Sequence, residues 1–337
     1  MKNIQISNIA QELNISASTV SRALNDKPGV SQSLKQQIIE KAEALGYQTP
    51  RAIKKTNLTK SHIIALITSD IKNPFHIDLI GSLQNYLSRY GYTLTVFDTN
   101  YDPNEEIRCI ELIKKLNYSG VVLVEAGPDE TFNQLSPSEI PMVAMTGVSP
   151  TFNSDKVLID DERAAYIATN HLINLGHTRI GFLKGNEASF TAADRYRGFC
   201  QCMKDHSLEI NEEYILQGDF TIETGYKLAA DLIENCTVLP SGMVICNDYS
   251  AFGFITACKD NGINIPGQMS VIGFDNIQLS YSGVLQLTTI DIHAEEKGRR
   301  AGELIINRIN NPGIAPQCIN IEPILIKRKT TAPCRRS

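Results

Sequence analysis

The sequence predicts an all-α helix-turn-helix head of about 48 residues and an α/β two-lobed body with Rossmann-like lobes. Residues 1–60 carry nine basic and four acidic side chains, a net charge of +5, whereas the remaining chain carries −10. Three short helical patterns fill the head. From residue 62 onwards, apolar strand-like runs alternate with helical stretches, as in parallel sheets covered by helices. A basic head on an acidic body suggests that the head contacts a polyanion.

Length and composition exclude several classes of protein. The chain has 337 residues, enough for about two domains and a small module, and 42% of them are hydrophobic, so that it can bury a core. No apolar run approaches the ~18 residues of a membrane span, and the first residues contain no apolar signal segment. The eight cysteines are scattered without a CxxC pair, which favours free thiols. We therefore expect a cytoplasmic protein without a membrane partner.

The first two helices of the head are predicted from apolar spacing and turn chemistry. Residues 6–13 place apolar side chains on one helix face. Asn14 follows, and asparagine tolerates the left-handed conformation of a tight turn. Ser16 is a suitable N-cap for a second helix over residues 17–25.

The third helix is predicted to begin near residues 31–33, where Ser33 and Gln36 have the spacing of a capping box, and to end at Gly46. Two short helices supported by a third form a helix-turn-helix. The second helix presents small polar residues and Arg22, which suits the major groove because arginine can pair with guanine. The alternative is a solvated helical bundle that binds nothing.

An ordered set of head residues matches a known family pattern. The set comprises Asn8, Ile9, Ala10, Ile15, Ser16, Thr19, Val20, Ser21, Arg22, Leu24, Asn25, Val30, Ser31, Leu45, Gly46 and Tyr47. In this order the residues resemble the DNA-binding head of the LacI/GalR family of bacterial repressors, and the register continues through almost the whole chain. Asn14 is a mild departure, since most members have glycine there.

The resemblance implies that the second helix reads an operator. Three residues would face bases: Ala17, Ser18 and Arg22. Four would contact phosphates or steady the helix: Ser16, Thr19, Ser21 and Asn25. The implied partners are palindromic double-stranded DNA and a second copy of the chain, because each head of a homodimer reads one half-site.

The linker over residues 49–61 departs from the family pattern. Members usually have a hinge helix whose leucine wedges into the minor groove and kinks the DNA. By register this position falls at Thr56, which intercalates poorly, so that either Leu58 or Ile53 replaces it or the DNA is bent less. Three basic residues can contact phosphates: Arg51, Lys54 and Lys55. A flexible charged linker is the alternative.

The body, residues 62–337, is predicted as alternating strands and helices. Strands are expected over 63–68, 93–98, 120–125, 142–146, 156–159, 179–183, 213–218, 242–246 and 271–274. Helices are expected near 76–90, 104–116, 161–175, 193–206, 222–235, 248–261 and 294–310. A late segment near 288–293 crosses back, so that lobe 1 is expected over about 62–160 and 291–320, and lobe 2 over about 161–290 with the C-terminal tail. The resemblance implies the same periplasmic-binding-protein-like architecture.

Side chains at strand ends predict an effector site, because ligands bind outside the carboxyl ends of parallel strands. The resemblance implies that Asp275 accepts hydrogen bonds from ligand hydroxyls and that Arg195 lies in the cleft. Asn247 is expected to reach the ligand and Asp248 to cap a helix. The predicted effector-binding residues are Phe75, His76, Asp160, Thr191, Arg195, Phe220, Asn247 and Asp275. The structural alternatives are core phenylalanines, a surface arginine and capping residues.

We therefore expect a DNA-binding transcriptional regulator, a repressor, controlled by a small polar effector. A neutral monosaccharide or disaccharide ranks first, a sugar phosphate or sugar acid second and a purine third. Phosphate-loop, nucleophile-elbow and zinc motifs are missing, so no enzyme, cofactor or metal site is expected. The alternatives are a regulator with a phosphorylated carrier protein as corepressor, a sugar-binding transport protein and a sugar-modifying enzyme.

Overall fold

The computed structural model describes residues 6–24, 27, 29–44, 61–125, 140–147, 152–283 and 285–334. The chain divides into two compact units, residues 1–61 and residues 62–337. The first is the head and the second is the body.

The head contains three helices around a small core. The helices are α1 (Ile6–Glu12), α2 (Ala17–Leu24) and α3 (Gln32–Ala44). Ile9, Val20 and Ile38, one from each helix, are fully buried against one another. Because all three helices supply this core, their mutual arrangement is fixed by packing. The predicted all-α head is confirmed.

The turn between α1 and α2 forms as the sequence predicts. Asn14 has φ 52, and the Ile15 N–H donates to the Ala10 carbonyl at 3.0 Å. Ser16 Oγ accepts from the Thr19 N–H at 3.1 Å, which caps α2.

The predicted capping box of α3 is wrong. Ser31 Oγ, rather than Ser33 Oγ, accepts from a backbone N–H of the first turn, that of Leu34 at 3.4 Å. Gln36 points along the helix and donates from Nε2 to Glu40 at 3.0 Å. The helix begins one residue before Ser33, so that its cap lies earlier than the spacing suggested.

Two six-stranded sheets form the body. The first contains β1 (Ser61–Thr68), β2 (Thr93–Asp98), β3 (Tyr118–Val124), β4 (Met142–Met145), β5 (Asp155–Ile159) and β11 (Cys318–Ile321). The second contains β6 (Ile180–Leu183), β7 (Ile215–Leu216), β8 (Gly242–Ile245), β9 (Ser270–Phe274), β10 (Thr288–Asp291) and β12 (Ile324–Ile326). The body helices are α4 (Pro74–Ser88), α5 (Pro103–Lys115), α6 (Asp161–Asn174), α7 (Phe190–Asp205), α8 (Ile222–Asn235), α9 (Asp248–Asp260), α10 (Leu279–Ser282) and α11 (Ala294–Asn310).

The strand orders are β11-β5-β4-β3-β1-β2 and β12-β10-β9-β8-β6-β7. The pairs β1–β2, β3–β4, β4–β5 and β5–β11 of the first sheet are parallel, as are β6–β7, β6–β8, β8–β9 and β9–β10 of the second, whereas β10 and β12 run antiparallel. The chain passes from one sheet to the other after β5, β10 and β11. Lobe 1 is the first sheet with α4, α5 and α11, and lobe 2 is the second sheet with α6 to α10. The predicted two-lobed α/β body is confirmed.

The central strands were predicted correctly from their apolar runs because they are buried on both faces of the sheets. Every residue of β3, β4, β6, β8 and β9 is buried. The glycines after three helices, Gly91, Gly176 and Gly262, have φ between 75 and 87 and end those helices as predicted. Among the described residues, none of the helices has the length and apolarity that a bilayer crossing requires.

Candidate functional site

The α2 helix of the head has one packed and one exposed face. Val20 and Leu24 are buried, whereas Ala17, Ser18 and Arg22 are exposed. The three residues predicted to face bases therefore share the accessible side of a short helix. Small side chains there permit close approach to a groove, and the arginine supplies a bidentate donor.

Hydroxyl groups surround the N-terminus of α2. Ser16 Oγ lies 2.8 Å from both Ser18 Oγ and Thr19 Oγ1, and Ser21 is half-buried. The other predicted DNA contacts lie outside the described residues: Asn25, Arg51, Lys54, Lys55 and Thr56. The same holds for the two wedge candidates, Ile53 and Leu58.

A small cavity of about 20 Å³, here called the inner cavity, lies at the carboxyl ends of strands from both sheets. It is lined by seven of the eight predicted effector-binding residues: Phe75, His76, Thr191, Arg195, Phe220, Asn247 and Asp275. Four lining residues were not predicted: Asn73, Glu125, Thr146 and Ile292. The expectation that ligands bind at the carboxyl ends of parallel strands thus predicted the position of the cavity, although not all of the residues that line it.

Asp160 does not line the inner cavity, in contrast to the prediction. It is exposed, and its Oδ1 accepts from the Arg163 N–H at 2.8 Å as the N-cap of α6. The next residue, Asp161, is buried and accepts from Arg195 Nε at 2.8 Å. The capping residue of α6, Asp160, faces solvent, and the carboxylate that points into the protein is therefore that of the next residue, Asp161.

Arg195 is the central charge of the site. Its side chain is 3% exposed, and Nη1 lies 3.5 Å from Asp275 Oδ1. Nη1 also donates to the Cys246 carbonyl, and the guanidinium lies 4.6 Å from the centre of the Phe274 ring. The group therefore has bonding partners on several sides, which offsets the cost of burying it.

Asp275 is a buried carboxyl group with a perturbed pKa. Burial raises the pKa of Asp275 to about 6, and the nearby Arg195 guanidinium opposes this increase. Its backbone has φ 101, which L-residues rarely adopt. The carboxyl group is therefore held by the fold in a position that desolvates it.

Several other cavity residues also have positive φ. The values are 53 at Glu125, 64 at Thr146 and 73 at Phe220. Such conformations cost about 1–3 kcal/mol each and tend to cluster at functional sites. Glu125 and Thr146 follow β3 and β4, so the strain coincides with the strand ends that form the cavity. No residue-type signal in the sequence indicated these two positions.

Two threonine hydroxyls in the cavity have no hydrogen-bond partner among the described residues. Thr146 follows β4 of lobe 1 and is 5% exposed, and Thr191 is the second residue of α7 in lobe 2 and is 4% exposed. A Cβ atom at Gly147 would lie 3.3 Å from Thr191 Oγ1, so the two lobes meet here. A buried unsatisfied hydroxyl costs about 1–3 kcal/mol. A polar ligand in the cavity can remove that cost.

Asn247, rather than Asp248, caps α9. Asn247 Oδ1 accepts from the Ser250 N–H at 3.0 Å and caps α9, while its Nδ2 donates to the Phe220 carbonyl at 3.0 Å. Asp248 is fully buried and accepts from Thr289 Oγ1 at 2.6 Å. The predicted cap at Asp248 is wrong, because the preceding asparagine already satisfies the helix terminus. Asn247 lines the cavity and positions the Phe220 backbone.

Two phenyl rings form apolar walls. Phe220 lies against Gly185, where a Cβ atom would come within 2.2 Å of the ring. Phe75 packs edge-on against His76, with ring centres 5.5 Å apart. His76 Nδ1 is 3.2 Å from Thr68 Oγ1, which ties that imidazole to the end of β1. Both phenylalanines are at least 95% buried, so that their ring faces are available to a ligand inside the cavity only.

Lys297 is an unexpected buried charge beside the site. It is fully buried on α11, and its Nζ has no hydrogen-bond partner within the described parts of the chain. Nζ lies 5.7 Å from the centre of the Phe75 ring. Burial lowers the pKa of Lys297 to about 8, and the carboxylate of Asp161 opposes this decrease. A lysine in an amphipathic helix pattern normally indicates the solvent face, so sequence reasoning missed it.

Comparisons with known proteins identify relatives for both units. Residues 5–50 match the model of bacterial regulatory proteins of the lacI family, and residues 169–331 match that of the periplasmic binding protein-like domain. The chain is 33% identical to the HTH-type transcriptional repressor PurR of Haemophilus influenzae over 335 residues, covering 96% of this chain and 98% of the relative. It is 29% identical to the HTH-type transcriptional regulator DegA of Bacillus subtilis, covering 97% and 98%.

A solved structure is also similar to the body. It is a periplasmic binding protein/LacI transcriptional regulator from Alkaliphilus metalliredigens complexed with D-xylulofuranose. The TM-score is 0.71 at 27% identity, and the match covers 80% of this chain and 99% of the other.

Proposed function

This chain belongs to the LacI family of bacterial regulatory proteins, and from that premise we propose that it is a transcriptional repressor controlled by a small sugar effector. The head binds operator DNA, and the inner cavity binds the effector. The repressor acts as a homodimer in the cytoplasm, with one head on each half of a roughly palindromic operator.

One observation above all supports an effector in the inner cavity. The hydroxyls of Thr146 and Thr191 come from different lobes, are buried and lack partners among the residues described. A ligand that bonds to both stabilises the arrangement in which the lobes are close. An effector changes a conformational equilibrium only by binding one state better than the other. A ligand that bridges the lobes meets that requirement.

The charges around the cavity favour a neutral polyol. The cations Arg195 and Lys297 are set against the carboxyl groups of Asp161, Asp275 and Glu125, which leaves an excess of acids. Carboxylate oxygens accept from sugar hydroxyls, whereas they repel a phosphate. The phenyl walls suit the CH face of a sugar ring. A neutral sugar therefore ranks above a sugar phosphate and a purine, and the relative solved with D-xylulofuranose agrees with that order.

The exposed face of α2 supports operator recognition. Ala17 and Ser18 allow the helix to approach base edges, and Arg22 can donate to guanine. The net charge is +5 over residues 1–60 and −10 over the rest of the chain, so the head is the unit with an excess of positive charge. The head is thus the unit through which the protein contacts DNA.

The test is a thermal-shift screen of the full chain against neutral sugars, sugar phosphates and purine bases. Each ligand that raises Tm is then added to an operator-binding measurement by fluorescence anisotropy. We expect a neutral sugar to raise Tm and to change operator affinity. If purines or sugar phosphates raise Tm and neutral sugars do not, the proposed effector class is wrong.

A further inference from the structure

The inner cavity has the size of a single water molecule. Its volume is about 20 Å³. A cavity must offer at least about 10–15 Å³, measured in the same way, before it can hold one water. The space therefore fits one water molecule better than two.

The polar atoms that need a partner at this cavity come from both lobes. Thr146 Oγ1 belongs to lobe 1 and Thr191 Oγ1 to lobe 2, and neither has a hydrogen-bond partner among the described residues. Both side chains are buried. A Cβ atom at Gly147 would lie 3.3 Å from Thr191 Oγ1 and 3.3 Å from Glu125 Cγ, so side chains of the two lobes border the same small space. A group in that space reaches both lobes at once.

The charges that line the cavity favour a neutral occupant over an ion. Arg195 lines it and would repel a cation, whereas Glu125 and Asp275 line it and would repel an anion. A water molecule both donates and accepts hydrogen bonds. From one position it can therefore bond to threonine hydroxyls, which do the same, and to a carboxylate oxygen, which only accepts.

We propose that the inner cavity is a binding site for one buried water molecule, which bridges Thr146 of lobe 1 and Thr191 of lobe 2. The inference concerns the protein alone and holds whatever the effector is. Buried waters that bond to otherwise unsatisfied polar groups are part of a protein's structure and are costly to remove. This water supplies partners to two hydroxyls whose burial would otherwise cost stability.

The neighbouring polar side chains are already bonded to other groups and do not replace the water. Glu125 Oε2 accepts from the Tyr101 hydroxyl at 2.7 Å, and Oε1 accepts from Ser189 Oγ at 3.3 Å. Asn247 is bonded through both of its amide atoms. A carboxylate oxygen has a second lone pair, so Glu125 can also accept from the water without losing either bond. Tyr101 lies in lobe 1 and Ser189 in lobe 2, so the carboxylate and the water form two adjacent links between the lobes.

The bridge depends on the distance between the lobes. When the lobes separate, Thr146 and Thr191 move apart, and one water molecule no longer reaches both hydroxyls. The water therefore stabilises the arrangement in which the lobes are close and contributes nothing to an open one. A contact that differs between two states in this way shifts the equilibrium between them.

The first experiment is high-resolution crystallography of the full chain, with and without a soak in rubidium bromide. We expect one density peak within about 2.5–3.0 Å of both threonine hydroxyls, the range of hydrogen bonds between oxygens, and no anomalous signal of rubidium or bromide there. Thr146→Val and Thr191→Val keep the branched shape and remove a hydroxyl, so each should lose the peak. Thr191→Ser keeps the hydroxyl and should retain it. Thr169→Val is the control, because that buried hydroxyl donates to the Ala165 carbonyl at 2.8 Å and the substitution should leave the peak in place.

Urea denaturation measures the same bridge in solution. Each single valine variant leaves the other hydroxyl buried without the shared water, whereas the double variant leaves neither. We therefore expect Thr146→Val and Thr191→Val together to lower the denaturation midpoint by less than the sum of their separate effects. Thr146→Val combined with Thr169→Val should be additive.

Several outcomes would overturn the inference. An anomalous peak in the cavity would identify the occupant as an ion. A cavity without density in the wild type, or a peak that persists in both valine variants, would show that the two threonines hold no water. Two separate waters, or additive effects of the two valine substitutions, would show that the lobes are not bridged by a shared one.

Discussion

Arg195 lies 2.8 Å from Asp161 and 3.5 Å from Asp275, and all three side chains are buried. Asp161 is the first residue of α6, where the chain enters lobe 2, and Asp275 follows β9 at the cavity wall. One guanidinium therefore joins the crossing segment to the effector site. We propose that a ligand bonded to Asp275 competes with or completes this ion pair, so that effector occupancy is linked to the position of the crossing segment.

Replacing Arg195 should destabilise the body strongly. Arg195→Ala leaves two buried carboxyl groups without their partner, and breaking a buried ion pair costs about 3–5 kcal/mol. Urea denaturation followed by circular dichroism measures the loss. Arg197→Ala, on the same helix, is the matched control, because Arg197 is 58% exposed and its ion pairs are worth at most about 1 kcal/mol. Equal losses in the two variants would show that the buried network is not stabilising.

Asp275→Asn should abolish the effector response and leave operator binding intact. Asparagine keeps the volume but loses the charge and one acceptor, while the DNA-reading head is a separate compact unit. Calorimetry with the effector and anisotropy with the operator test the two halves of this prediction. Retained effector affinity in Asp275→Asn would show that Asp275 does not contact the ligand.

The raised pKa of Asp275 predicts a pH dependence of stability. Its folded-state pKa of about 6 lies above the ordinary 3.8, so the folded protein holds more protons than the unfolded chain between these values. Stability contributed by this group therefore falls as pH rises from about 4 to 6, by about 3 kcal/mol in total. Unfolding free energies of the wild type and Asp275→Asn at pH 4.5 and pH 7 measure it. A difference between the two proteins that does not change with pH would contradict the assignment.

Removing the buried ammonium of Lys297 should stabilise the protein at neutral pH. Its folded-state pKa of about 8 lies below the ordinary 10.5, so the cost of the charge is present below pH 8 and is relieved as pH rises towards 10.5. Lys297→Met keeps the volume and should raise the unfolding free energy at pH 7 by about 1–3 kcal/mol, with a smaller gain at pH 10. Lys259→Met, near the end of α9 and exposed, is the control. A loss of stability would mean that Lys297 is needed to balance the nearby acids.

Arg22→Ala should reduce operator specificity. Loss of a bidentate contact to guanine costs about 1–3 kcal/mol on the cognate site and much less on random DNA. Anisotropy titrations with both duplexes at one salt concentration give the ratio. If affinity for both duplexes falls equally, Arg22 contacts phosphate and not a base.

The sequence predicted the elements whose pattern depends on burial. The central strands are buried on both faces and so appear as uninterrupted apolar runs, as in β9. The short outer strands β11 and β12 are partly exposed and were missed, since they have neither the length nor the continuous apolar pattern. The expected strand over 213–218 is reduced to β7, preceded by a 3₁₀ turn.

Site residues were predicted correctly where a suitable residue type stands directly after a strand. They were missed where a shift of one position along the chain decides which side chain faces the cavity. Asp160 and Asp161 are chemically identical, and only the start of α6 determines which one turns inwards. Thr146 owes its place to a positive φ, which a β-branched residue gives no reason to expect. Lys297 lies on a helix whose basic residues are normally solvated. These features arise from tertiary packing, which a linear pattern does not contain.

The contact between Phe220 and Gly185 limits how this binding site can evolve. A Cβ atom at position 185 would meet the end of the phenyl ring, so a mutation there requires that ring to move or position 220 to become smaller. The two positions, 35 apart in sequence, are therefore coupled. A change of ligand preference through this wall is expected to involve both of them.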